Sequence, residues 1–220
     1  SQVFTEVYQA PVSEGTGIIR DQMRKAYRLL IDAGYRIKND RMVDKDGRPL
    51  SFEYLLFQTN MERVLLPFKR NLADLGIEMK IRRVDISQYV NRLRSQDFDV
   101  TSAIWAQSNS PGNEQREFWH SSTANIPGTR NYMGLQNPVV DALIEELVLA
   151  DSRQSLIDHV RALDRVLLWG HYVVPNYYTD VWRIAYSNQL MHPDKVPDYD
   201  IGLMTWWHKS AQTKVVQGKP

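Results

Sequence analysis

Apolar side chains recur at three- and four-residue steps through Ile19, Met23, Ala26, Tyr27, Leu30 and Ala33, a spacing that predicts a helix starting near Thr16. Gly34 is placed to end it in a left-handed turn. An Asp46-Gly47 turn then leads into an apolar strand from Leu50 to Gln58 and a helix from about Met61 to Leu75, closing at Gly76. In the next run Ile77, Met79 and Ile81 alternate with Glu78, Lys80 and Arg82, which predicts a half-buried strand. ISQYVNRLRSQ returns to helix with Ser87 as candidate N-cap, and FDVTSAIWA reads as a buried strand.

Strand, helix, strand, helix, strand over residues 50–106 implies crossover connections, so the expected fold class is α/β, a largely parallel sheet covered by helices. The second half is more helical. Apolar spacing predicts helices from Asn137 to about Ala150, with Pro138 in the first turn, and from Ser152 to about Tyr172. VFTEVY near the N-terminus and VVPNYYTDVWRIAYS after the last helix both read as strand-like. Beyond Ser187 the pattern weakens around Pro193 and Pro197, which divides the chain into one α/β lobe over residues 1–186 and a tail over 187–220.

Composition narrows the function. The 220 residues are 43% hydrophobic, enough for one large domain or two small ones. Lys plus Arg (27) nearly balances Asp plus Glu (26), so no whole-chain field favours nucleic acid or an anionic membrane. Lys80, Arg82 and Arg83 form the densest basic cluster, expected as a solvated strand face. The absence of cysteine removes disulfides, thiolate chemistry and cysteine-ligated metals. No stretch approaches the ~20 apolar residues of a membrane span. The chain opens without Met and without a basic-then-apolar leader, as a piece cut from something longer would.

Catalytic chemistry finds little support. His120, His159, His171, His192 and His208 show no metal-ligand spacing, and GxSxG, GxGxxG and Walker A patterns are missing, so no catalytic residue, metal or cofactor is expected. Two weaker catalytic readings stay open: Ser108 as a nucleophile with His120 as its only nearby partner, or Glu114 and Glu117 as paired carboxylates. Three residues apart at a helix start, the two glutamates are better explained by the helix dipole.

Binding is the stronger reading, and it rests on IWAQSNSPGNEQREFWHSS. After Trp105 come ten residues without a large apolar side chain, broken by Pro111 and Gly112. In an open α/β sheet ligands are commonly held at the carboxyl ends of the strands, which is where this loop would emerge. Gln107, Ser108, Asn109 and Asn113 offer uncharged donors and acceptors between the flat surfaces of Trp105 and Trp119, chemistry suited to amide-rich ligands.

Five blocks in order, AYRLLIDAGYR, DKDGRPLSFEYLL, NLADLGIEMKIRRVD, FDVTSAIW and NPVVDALIEEL, resemble the C-terminal lobe of the family 5 extracellular solute-binding proteins, the peptide-binding components of ABC importers. SPGNEQREFW further resembles the branch associated with oligopeptide and microcin C uptake. The resemblance implies a periplasmic or cell-surface protein, not an enzyme, that encloses an extended oligopeptide between two lobes and delivers it to permease subunits. This chain would then be one wall, and the tail would return toward an N-terminal lobe outside it. In several relatives an aspartate shortly after the tryptophan pairs with the ligand's terminal amine, whereas here Gln107 or Ser108 stands in that place. Glu114 would substitute if the loop folds inward. Arg116 and Arg130 would meet a carboxylate or phosphate, and Asn131 and Tyr132 would line the same cleft. A protein-interaction module using exposed aromatics near Trp206 and Trp207 is the remaining alternative.

Overall fold

The computed structural model describes residues 2–12, 15, 19–176, 181–198 and 200–210. They fall into two compact units, residues 1–173 and 174–220, so the boundary lies thirteen residues before the one read from the sequence pattern.

The first unit opens with α1 (Gln2–Thr5), a helical turn where VFTEVY suggested a strand. Among the described residues no strand pairs with this segment. The Arg165 guanidinium donates instead to the carbonyls of Val3 and Glu6, and the Tyr8 ring meets Trp169 edge-on at 5.6 Å. Next, α2 (Arg20–Asp32) ends as expected: Gly34 takes φ +90°, and the Tyr35 N–H reaches back to the Leu30 carbonyl at 3.0 Å. Met23, Ala26 and Leu30 of α2 pack on Met42, Leu75 and Ile77.

The strands β1 (Arg36–Lys38) and β2 (Arg41–Val43) form an antiparallel hairpin that the apolar pattern does not announce. Its turn is Asn39-Asp40, both with positive φ, which is the local signal that identifies it. Gly76 packs directly against β2. A Cβ there would lie 2.7 Å from the Met42 nitrogen, which itself donates to the Gly76 carbonyl.

The main sheet holds β3 (Ser51–Leu56), β4 (Glu78–Arg83) and β5 (Val100–Thr101) in the order β4-β3-β5, all parallel. The helices α3 (Glu62–Asp74) and α4 (Ile86–Arg94) make the two crossovers, so the expected α/β architecture holds. Tyr54 and Leu56 join Leu65 of α3 and Met79 of β4 in one core, and Leu55 on the opposite face is buried too. The basic strand residues are solvated as expected, Lys80, Arg82 and Arg83 reaching Glu78, Glu53 and Glu62 at 3.9, 3.3 and 3.5 Å.

Two expectations in this region need correction. The N-cap of α4 is Asp85, whose Oδ1 accepts from the Gln88 N–H at 2.9 Å, and Ser87 sits inside the helix. β5 is far shorter than FDVTSAIWA suggested. Past Thr101 the backbone is taken up by side chains: the Tyr89 hydroxyl donates to the Ser102 carbonyl at 3.0 Å and Arg130 Nη2 to the Ile104 carbonyl at 2.5 Å. The Ile104 side chain is 85% exposed.

The rest of the unit is α5 (Glu114–Trp119), α6 (Pro138–Val148) and α7 (Arg153–Trp169), sharing a core of Phe118, Trp119, Val140, Ile144, Leu147 and Leu163. Asn137 caps α6 through the Val139 N–H and Ser152 caps α7 through the Ser155 N–H.

In the second unit β6 (Leu190–Met191) pairs antiparallel with β7 (Trp207–His208). No strand forms among the described residues of VVPNYYTDVWRIAYS; residues 177–180 lie outside the description. Trp206 and Trp207 are half-buried, not exposed as the interaction-module alternative requires. Trp206 lies against Tyr186 and His192, with ring centres 4.8 and 5.2 Å away, and donates to the Ile201 carbonyl.

The cap assignment gives a direct test. Asp85→Ala should lower stability by about 1 kcal/mol in urea titration, whereas Ser87→Ala should change it by less than about half that.

Candidate ligand-binding surface

Parallel strands bring their carboxyl ends to one edge, and the segment after β5 leaves from that edge. It runs to α5 without regular structure and is closed at both ends by the tryptophans. The Trp105 and Trp119 rings stack at 5.0 Å between centres, and Tyr132 lies 5.7 Å from Trp105. Trp105 Nε1 donates to the Arg130 carbonyl and Trp119 Nε1 to Gln115 Oε1, both at 3.1 Å, so neither indole N–H is left unpaired.

Between those anchors the loop is tied down along its length. Gln107 Oε1 accepts from Gln115 Nε2 at 2.7 Å, Ser108 Oγ from the Ser110 N–H at 3.2 Å, and the Asn109 carbonyl from Arg153 Nη1 at 2.5 Å. Glu114 Oε1 accepts from the Gly112 N–H at 2.9 Å. Burial pushes the Glu114 carboxyl up, but the bonds from the Gly112 and Glu114 N–H groups and the Gln115 amide outweigh it and hold the group below its ordinary value. Gln107, Ser108, Asn109 and Asn113 remain exposed, and Trp105, Glu114 and Tyr132 are half-buried.

The other three candidates are placed differently. Arg116 grips Glu145 of α6 with two bonds, Nε to Oε1 at 2.7 Å and Nη2 to Oε2 at 2.5 Å, and its Nη1 donates to Asn113 Oδ1. That pair bolts α5 to α6. Arg130 holds the Ile104 carbonyl and lies 4.7 Å over the Phe118 ring. Asn131 lines no cleft: it is fully buried, its Oδ1 accepting from the Leu135 N–H at 2.7 Å and its Nδ2 donating to the carbonyls of His120 and Leu135. Two of these bonds close a local turn to Leu135, and the third reaches eleven residues back to His120.

The catalytic alternatives fare poorly on geometry. No hydrogen bond joins Ser108 to His120, whose Nδ1 accepts from the Ser122 N–H and lies 2.8 Å from Ser122 Oγ. A carboxyl held below its ordinary value is ionised at neutral pH, so Glu114 is unsuited to act as a general acid beside the exposed Glu117. Among the described residues no three His, Asp or Glu side chains converge as a metal site would require, and no helix is long and apolar enough to cross a membrane. A groove of about 660 Å³ between α2 and α3, lined by Arg20, Arg24, Tyr27 and Asp74 among others, contains none of the candidate residues.

Sequence reasoning missed Gln115, Glu145 and Arg153. A glutamine four residues before a tryptophan on one helix is a readable signal for the first. The other two act across 29 and 44 residues and leave none.

A family model described as bacterial extracellular solute-binding proteins, family 5 Middle, matches residues 3–126. The chain belongs to that family. Its members are periplasmic or extracellular proteins. The chain is 45% identical over 219 residues to the uncharacterized protein y4wM of Sinorhizobium fredii, covering 99% of this chain and 33% of that protein. It is 44% identical over 212 residues to the probable peptide-binding protein YejA of Agrobacterium fabrum, covering 96% and 34%. This family 5 chain thus spans about a third of the length of the curated relatives it matches. Among solved structures, the oligopeptide-binding protein AppA of Bacillus subtilis, in complex with a nonapeptide, superposes with a TM-score of 0.66 at 22% identity, over 94% of this chain and 44% of AppA. That likeness establishes the periplasmic-binding-protein fold.

Two measurements separate struts from ligand contacts. Asn131→Ala should destabilise the fold by roughly 3 kcal/mol, because buried backbone groups lose their partners, while Asn109→Ala on the exposed loop should stay within about 0.5 kcal/mol in the same urea titration. The second concerns acid. Hydrogen bonding to Arg116 holds the Glu145 carboxyl below its usual range and lifts the guanidinium above its own. The folded state therefore binds fewer protons than the unfolded one between the depressed and ordinary values of Glu145. The contribution of the pair is complete above the ordinary carboxylate range and disappears as pH falls through the depressed value, and Glu145→Gln should remove that part of the acid dependence of the urea midpoint.

Proposed function

We propose that this chain is one lobe of the substrate-binding component of an ABC peptide importer, a non-enzymatic wall against which an extended oligopeptide or peptide-like solute is held and then delivered to permease subunits. The observation that carries the reading is the uncharged loop at the carboxyl edge of the parallel sheet, braced between stacked tryptophans. Its exposed amides and hydroxyls suit main-chain groups of a peptide, and Trp105 with Tyr132 supplies flat surface for side chains of varied shape. Relatives point the same way: one is described as a probable peptide-binding protein, and the AppA structure holds a nonapeptide.

In this reading the chain is the C-terminal lobe, working in the periplasm or at the cell surface and closing on an N-terminal lobe of the same parent. The tail over 187–220 returns toward that lobe, a role that suits Leu203 and Met204, both exposed, Met204 at 97%. The SPGNEQREFW run supports placement in the branch associated with oligopeptide and microcin C uptake.

Calorimetry of the full-length protein against a panel of short peptides tests the proposal. Peptides should bind with a negative heat-capacity change, and the 220-residue chain alone should bind them far more weakly, because one desolvating wall is absent. Binding of another solute class with no response to any peptide would overturn it.

A further inference from the structure

The orientation of one exposed amide on this loop follows from a group whose polarity is unambiguous. An indole N–H only donates, so the Gln115 atom that meets Trp119 Nε1 at 3.1 Å must be the carbonyl oxygen. The other end of the Gln115 amide is therefore NH₂, and its two protons face Gln107 at 2.7 Å and Glu114 Oε1 at 3.3 Å. A carboxylate oxygen there agrees with that polarity. Because an NH₂ group needs an acceptor opposite it, the Gln107 atom turned toward Gln115 must be oxygen. Gln115 is only 4% exposed, so the amide at the centre of this relay is sheltered from water, which strengthens its hydrogen bonds.

The consequence lies on the outside. With its oxygen engaged inward, Gln107 turns its NH₂ group away from Gln115, and that group has no partner among the described residues. The side chain itself is exposed. The sequence resemblance sets Gln107 or Ser108 where several relatives carry an aspartate that meets a ligand ammonium. A free amide in that place can accept as well as donate; the relay leaves its outward group a donor.

We infer that Gln107, held by the buried Gln115, presents a hydrogen-bond donor to the ligand and so selects an oxygen-bearing peptide end over a free ammonium. The acceptor is the carbonyl of an acylated N-terminus or a terminal carboxylate. An ammonium facing this NH₂ would meet donor against donor and lose its hydration without compensation. The inference rests on the peptide-binding reading, with Gln115 as a positioning residue that acts only through Gln107.

The test is calorimetry of the full-length protein with one peptide sequence in three forms: free at both ends, N-acetylated, and free at the N-terminus but C-terminally amidated. The N-acetyl form should bind about tenfold tighter than the free form, the size of one well-made hydrogen bond in a desolvated site. If the carboxylate is the acceptor, acetylation will have little effect and amidation will instead weaken binding by a similar factor. Gln107→Ala should abolish whichever preference appears. The pair Gln115→Glu with Glu114→Gln reverses the relay, because a carboxylate at 115 forces Gln107 to turn its NH₂ inward and its oxygen outward, and the preference should shift toward the free ammonium. Unchanged near-ultraviolet circular dichroism from the tryptophans checks that this variant folds. Tightest binding by the free-ammonium form, or a preference untouched in both variants, would overturn the inference while leaving peptide binding intact. Failure of all three forms to bind, with another solute class binding, would overturn the peptide reading and the inference together.

Discussion

The stacking of Trp105 on Trp119 is the contact on which the second half of the first unit depends. It brings together two points fourteen positions apart in the chain and places both in the core that α5, α6 and α7 share. Closing a loop of that length has an entropic cost that grows only slowly with its length, and burial of two indoles offsets it readily. With both ends fixed, the polar residues between them no longer need a hydrophobic reason to stay ordered. They can be chosen for what they present to solvent.

Charge is handled in the opposite way. The two candidate arginines are engaged within the protein, Arg116 by Glu145 and Arg130 by the Ile104 carbonyl and the Phe118 ring. A guanidinium engaged on both edges of its fork by a carboxylate has little left to offer a ligand. The same holds for Asn131, whose amide is consumed by the turns around it. Residues that look most like ligand contacts by type are therefore the ones that build the platform, and the less conspicuous neutral residues at 107–109 and 113 form its accessible surface.

This division explains what the sequence allowed one to read. Elements whose signals are local were legible: the βαβαβ order from apolar periodicity, the Asn137-Pro138 start of α6, the Ser152 cap and the left-handed Gly34. Asp85 and Ser87 are equally good capping types two positions apart, and only the extended backbone at Asp85, ψ 164°, decides between them. The end of β5 was not legible, because it depends on Tyr89 and on Arg130, which lies 26 residues beyond Ile104. The strand-like look of VFTEVY failed for a related reason: alternation permits a strand, but a strand needs an edge to pair with, and no strand among the described residues pairs with this segment.

An amide relay and a carboxylate at a ligand-facing position differ first in desolvation. A carboxylate in a closing cleft must be stripped of water whatever ligand enters, and only a cation opposite it compensates. An amide oriented by a buried neighbour carries a smaller desolvation penalty and still has a definite polarity, since Gln115 prevents Gln107 from rotating to suit either kind of partner. Without that second amide Gln107 would be an exposed and freely flipping group, as ready to accept as to donate. If Gln107 meets the ligand as proposed, specificity would reside less in Gln107 than in the buried Gln115 behind it, which is anchored in turn by the N–H of Trp119.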